Sequence, residues 1–231
     1  MDEIGKGLKE AFQLLFSGDT ELFEIVGLSL FVSGLAVIIA TCIGIPLGIL
    51  LGTHDFKGKG LIVRITYTLM SLPPVIAGLV LFLIFMRRGP LGSLQLNYTP
   101  TAMVIAQICL VFPIVMGLTF NIVREKAPVV RRLAKTLGAS KVQSMKLLIY
   151  EMREGLLTSV VSGFGRAISE VGAVMIVGGN IVGKTRAMTT YISELKTMGD
   201  YSRAIAVGIV LLALSFLVNA ILYHFQQRGG K

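Results

Sequence analysis

The chain has 231 residues, of which 54% are apolar and only 15% charged, and its formal net charge is +9. Soluble domains carry roughly 25% charged residues, so this composition excludes an ordinary water-soluble fold and points to a membrane. The basic residues fall between apolar runs, where the positive-inside rule puts them, so the charge does not indicate nucleic acid.

Residues 1–18 read as a short amphipathic helix on the membrane surface. Ile4, Leu8, Ala11, Phe12 and Leu15 recur at helical spacing, with Lys6, Lys9 and Glu10 between them. A loosely ordered terminus is the alternative, and no cleavable signal is evident. Asp19 is placed to cap the next helix, with Glu21 and Glu24 favourable in its first turn.

Five spans are expected. The first, Ile25 to Thr53, holds no ionisable residue; Pro46 lies within it between Gly44 and Gly48, which allows a kink and close helix contact. A polar turn, His54 to Gly60, leads to the second, about Ile65 to Met86. Pro73 and Pro74 near its middle remove two backbone donors and must bend or break the helix. That break either lines a pathway or is purely structural. After a loop over Gly89 to Pro100, the third span runs from about Thr101 to Val123, with Pro113 inside it. A polar segment to Arg153 follows. The fourth span, about Gly155 to Gly183, contains Arg166 and Glu170. A polar loop, Lys184 to Arg203, precedes the fifth, about Ala204 to Tyr223. Cys42 and Cys109 sit in apolar runs and read as packing residues.

Odd span number puts the termini on opposite sides. The turn after span one, the 124–153 segment and the C-terminal tail together carry 13 Lys and Arg, against 8 on the other side. The C-terminus is therefore expected in the cytoplasm and the N-terminus outside.

No catalytic constellation or Walker-type loop stands out. Gly178-Gly179-Asn180 with Gly183-Lys184-Thr185 has the wrong spacing for a phosphate loop. Two stretches are informative. In residues 128–152, Pro128 can start a helix, Leu133, Leu137, Val142, Met145 and Leu148 can form an apolar ridge, and Gly138 can turn the chain between two helical stretches. Such a projection suits docking onto another protein; a basic segment lying on anionic headgroups is the alternative. In the fourth span, Arg166 and Glu170 are four apart and can pair on one helix face. They either lock helices together or, with Ser169, face a pathway, where the arginine attracts an oxyanion and the glutamate limits how tightly it is held.

Ala134-Lys135-Thr136-Leu137-Gly138-Ala139-Ser140 resembles the "EAA" loop of type I ABC importer permeases, although Arg132 and Leu133 stand where its glutamate and first alanine would be and no closing proline follows. Arg166-x-Ile168-Ser169-Glu170-x-Gly172-Ala173, continued through Val174 to Ile181, resembles the molybdate, tungstate and sulfate branch, and most of all its tungstate-type permeases. The resemblance implies an all-α membrane protein with the type I fold, a single transmembrane domain over residues 1–231. It implies a non-catalytic permease subunit of a bacterial plasma-membrane importer, working as a homodimer with a pathway for an oxyanion. An extracytoplasmic binding protein would deliver the anion to the 89–100 and 184–203 loops. Two ATPase subunits, which hold the ATP and magnesium, would dock on a coupling helix at about Lys135 to Met145, including Val142. Regulation by an appended domain is not expected. A stand-alone anion channel or secondary transporter is the alternative, and it has no need of a coupling loop.

Overall fold

The computed structural model describes residues 5–11 and 19–228. Among them every regular element is helical. Residues 5–11 form α1, followed by α2 (Thr20–Thr53), α3 (Lys59–Met70), α4 (Pro74–Phe85), a 3-10 turn at Gly92–Leu94, and α5 (Pro100–Thr136). Then come α6 (Lys141–Ile168), α7 (Gly172–Gly178), α8 (Met188–Met198) and α9 (Tyr201–Arg228). Helices α2, α5 and α9 are long and apolar enough to cross a membrane. The bent pairs α3–α4 and α6–α7 bring the number of spans to five if each pair is one span.

Asp19 caps α2 as expected: its Oδ1 accepts the backbone N–H of Glu21 at 3.0 Å and of Leu22 at 3.4 Å. Helix α2 then lies along α5 on a glycine stripe. Methyl groups at Gly44, Gly48 and Gly52 would come within 3.3, 2.7 and 2.4 Å of Met116 N, Thr119 Cβ and Val123 Cγ1. Only glycine lets the two backbones approach this closely, and in lipid such packing replaces the hydrophobic drive available in water. Pro46 sits within this stripe, and neither it nor Pro113 interrupts its helix. The expected kink is absent as a break there because membrane helices absorb one missing N–H when neighbours pack tightly around it.

Pro73 and Pro74 do break theirs. The chain leaves α3 at Met70 and restarts at Pro74, which occupies the first helical turn where no donor is needed. The two halves meet at 102°. The second bent pair turns by 56° between α6 and α7. The two short outer halves then pack on each other: a methyl at Gly78 would lie 2.7 Å from the Ala173 Cα, and one at Gly172 2.9 Å from Val75. Gly163 faces Val111 and Val115 on α5, whereas Gly165 has open space beside it.

Three boundaries differ from the sequence expectation. Helix α5 runs straight through Arg124, Glu125, Lys126 and Pro128, so span three and the first docking helix are one 37-residue element. Charge marks where a helix leaves lipid, not where it ends. For the same reason α6 joins the polar segment from Lys141 to the fourth span. The 184–203 loop contains α8, whose Met188, Tyr191 and Leu195 are buried with Leu22 and Ile25 of α2 and Val207 of α9. Cys42 and Cys109 lie on the outer surface and are not packed inside. On α1, Ala11 is buried and Gly7 meets Ile205 of α9, while Leu8 stays exposed; Ile4, Phe12 and Leu15 lie outside the described residues.

Gly78→Ala should destabilise the full chain by about 1–3 kcal/mol, since the added methyl meets backbone that cannot rotate away. Gly34→Ala, with open space, should be neutral or slightly stabilising. Thermal unfolding in detergent checks the difference; equal midpoints would contradict the α4–α7 contact.

Candidate functional site

The C-terminal end of α5 closes with a Schellman motif. Gly138 N–H donates to Lys135 O at 3.2 Å and Ala139 N–H to Ala134 O at 2.9 Å, with Gly138 at φ +68°. A methyl on Gly138 would touch nothing, so its requirement for glycine is purely conformational. Ser140 opens α6 at once with a capping box: its hydroxyl accepts Gln143 N–H at 3.3 Å, and Gln143 Oε1 accepts Ser140 N–H at 2.8 Å. Gly138-Ala139-Ser140 thus encode a tight corner between two long helices. The stretch from Lys135 to Met145 is therefore two helical limbs with the turn at Gly138 that the sequence leads one to expect.

Ala134 and Leu148 are buried on the inner side of the corner, Met145 is half-buried, and Lys135 and Thr136 are exposed. Leu133, Leu137 and Val142 are exposed at 53%, 73% and 66%. An apolar ridge is present at the corner, but Leu148 turns inward and does not belong to it. Arg131, two turns back, reaches α2: its Nη2 donates to Thr53 O at 2.6 Å. Beside it, the Lys59 ammonium bonds Asp55 at 2.9 Å and holds that carboxyl below its ordinary range.

At the other end of α6, the chain leaves the helix at Ile168. Arg166 is in the last turn, and Ser169 and Glu170 are in the break before α7. The two charged residues still meet, with Arg166 Nη2 3.5 Å from Glu170 Oε2, a loose pair rather than a tight hydrogen bond. Their environments differ. The Glu170 side chain is 3% exposed and the Arg166 side chain 34%. Glu170 Oε1 accepts Ala173 N–H at 3.0 Å, capping α7, and its backbone carbonyl accepts Thr189 Oγ1 of α8 at 2.8 Å. Ser169 is exposed and its hydroxyl donates to Gly165 O at 2.8 Å. So Arg166 and Ser169 reach the open surface, and Glu170 turns inward to hold the break.

Sequence reasoning missed two residues. Gln107 of α5 is buried, and its Nε2 donates to Ala167 O at 2.9 Å, tying α5 to the end of α6. A lone uncharged amide in an apolar span carries no local signal of a partner 60 residues away. The void it shares with Glu170 is about 10 Å3, room for one water at most and not for an oxyanion. Arg186 was counted as loop charge. It bridges Glu21 of α2 at 3.1 Å and Glu194 of α8 at 2.8 Å, beneath the Tyr191 ring. In the preceding turn, the N–H groups of Lys184, Thr185 and Arg186 all donate to Ile181 O, so these three amides are not available to a phosphate.

Residues 44–230 match the family described as binding-protein-dependent transport system inner membrane component. The chain is 51% identical to a tungstate uptake system permease protein of Peptoclostridium acidaminophilum, covering 98% of this chain and 100% of that one. It is 36% identical to the permease of the same description from Campylobacter jejuni, covering 98% and 95%. A sulfate transport system permease of Synechocystis is 27% identical over 97% of this chain and 83% of its own. In structure, a bacterial ABC transporter involved in the import of alginate aligns with a TM-score of 0.73 at 17% identity, over 95% of this chain and 83% of that one. That likeness establishes the fold, the type I importer transmembrane architecture.

Glu170→Ala should destabilise the chain by about 1–3 kcal/mol, by orphaning the Ala173 N–H and leaving Arg166 unpaired. Glu170→Gln keeps an acceptor for that N–H and should cost less than half as much. Unfolding midpoints of the two variants check this order; if the two cost the same, the charge pairing that both remove, and not the capping, governs the site.

Proposed function

This chain belongs to the binding-protein-dependent transport system inner membrane component family, and we propose that it forms the membrane pathway of an ATP-driven oxyanion importer, with tungstate as the anion and molybdate or sulfate next in order. The observation that carries this reading is the end-to-end likeness to tungstate uptake permeases, which spans both the coupling corner and the Arg166–Ala173 stretch. Residues 1–231 act as one transmembrane domain in the bacterial plasma membrane, N-terminus outside and C-terminus in the cytoplasm. The chain works as a homodimer and catalyses nothing itself. An external binding protein delivers the anion to the outer loops. Two ATPase subunits, carrying ATP and magnesium, dock at the corner formed by Ala134 to Ser140 with Val142 and Met145.

The chemistry of the bend fits a pathway that must attract an anion without trapping it. Arg166 presents a guanidinium at the surface, and Ser169 presents a hydroxyl beside it. Glu170, buried behind them, offsets part of the arginine's charge across 3.5 Å. A pocket that bound the oxyanion tightly would stall the cycle.

Gly138→Val tests the coupling assignment. A β-branched residue in the left-handed region costs about 1–2 kcal/mol, enough to depopulate the corner by roughly tenfold. Tungstate uptake into proteoliposomes containing the permease, the ATPase and the binding protein should fall to about a tenth, while membrane insertion is unchanged. Unaltered uptake would sink the importer reading. Arg166→Gln should lower uptake and, by leaving the buried Glu170 carboxylate without its cation, also lower the unfolding midpoint; competition by unlabelled tungstate, molybdate and sulfate ranks the anions.

A further inference from the structure

Behind the corner, the ends of three helices enclose a cavity of about 470 Å3. Helix α2 contributes Thr53 and His54, α5 contributes Arg131 and Lys135, and α6 contributes Lys141 and Ser144. Its floor is apolar, made in part by Met145 and Leu148. No carboxylate lines it among the described residues. Asp55, which feels the charge of Arg131, is paired with Lys59 and its side chain is 97% exposed. Lys135 and Lys141 have no ion-pair partner among the described residues.

Two further features favour an anion here. The C-terminal carbonyls of α2 would repel one, but Arg131 covers the Thr53 carbonyl at 2.6 Å. The N-terminus of the 28-residue α6 borders the same space and adds the positive end of its dipole. On α5, Arg131 and Lys135 each follow the exposed Val129 and Leu133 by two residues, about 200° around the helix, while Ala134, Lys135, Ala139 and Met145 belong both to the cavity lining and to the proposed docking corner.

We propose that this cavity binds a tetrahedral, phosphate-class anion, presented by an anionic phospholipid headgroup at the inner membrane surface or free in the cytosol. Cationic walls would hold the phosphate group, and the apolar floor accommodates the glycerol end of a lipid. Occupancy joins the end of α2 to both limbs of the corner, and so sets how firmly the corner is held against the rest of the membrane domain.

The full chain tests this in two arms. In one it is purified from mixed phosphatidylcholine and phosphatidylglycerol membranes, and retained lipid is read by native mass spectrometry. In the other, inorganic phosphate is titrated calorimetrically onto the chain in pure phosphatidylcholine nanodiscs. Capture in at least one arm is expected. Phosphatidylglycerol alone identifies a headgroup site, and phosphate binding identifies a free-anion site. Lys135→Gln with Lys141→Gln should weaken capture roughly tenfold or more. Lys135→Arg with Lys141→Arg should restore it, which separates charge from misfolding. Lys57→Gln with Arg64→Gln removes the same charge from the same membrane side outside the cavity and should change nothing. No capture in either arm, or equal loss in the Lys57 and Arg64 variant, overturns the proposal.

Discussion

The close approach of α2 to α5 at Gly44, Gly48 and Gly52 is the constraint on which the rest of the structure rests. Lipid offers no hydrophobic reward for bringing two apolar helices together, so contact area and van der Waals fit must do it. Glycine at every fourth position supplies both over two turns. It also fixes depth: with Gly52 seated against Val123, Thr53 falls within reach of Arg131. The end of α2 is thereby tied to a helix that continues another turn and a half to the corner. A single bulky residue in that stripe would shift both the span and the corner.

The second organising feature is the pair of breaks. Each broken span gives up helical hydrogen bonds at membrane depth, which is tolerable only where protein re-satisfies them. At the α3–α4 break, prolines remove the donors in advance. At the α6–α7 break, Glu170 accepts the Ala173 N–H and Thr189 bonds the Glu170 carbonyl. Gly78 and Ala173 then let the two redirected halves meet backbone to backbone. The bends therefore support each other.

Much of this was legible in the sequence for physical reasons. Asp19 and Pro73-Pro74 act through local chemistry, and Gly138 acts through its own φ, so each does in the fold what its residue type requires. The helix ends at charge clusters were not legible, because Arg124, Glu125 and Lys126 mark the edge of lipid and say nothing about whether the backbone stops. The α8 helix was hidden for a related reason: only in three dimensions do Met188, Tyr191 and Leu195 find Leu22 and Val207 to pack against. Arg186 and Gln107 matter through partners far away in the chain, which no local pattern announces. The relation of Arg166 to Glu170 was half legible. Their spacing predicted contact, but the helix ends between them, and that end is what gives them different surroundings.

Helix α6 connects the two stretches that sequence alone singled out. It runs unbroken from the Ser140 cap to Ile168, 28 residues or about 42 Å. No proline interrupts it, and its helical hydrogen bonds make it stiff along its axis. The far end of α6, where Arg166 and Ser169 sit, adjoins the 56° break before α7. On α5, Gln107 holds Ala167 and the glycine stripe holds α2. Between α6 and α7 lies the 56° turn, held by Glu170 accepting the Ala173 N–H and by Thr189 bonding the Glu170 carbonyl. Glu170 thus sits where α6 meets the α4–α7 pair, with the Arg166 guanidinium 3.5 Å away.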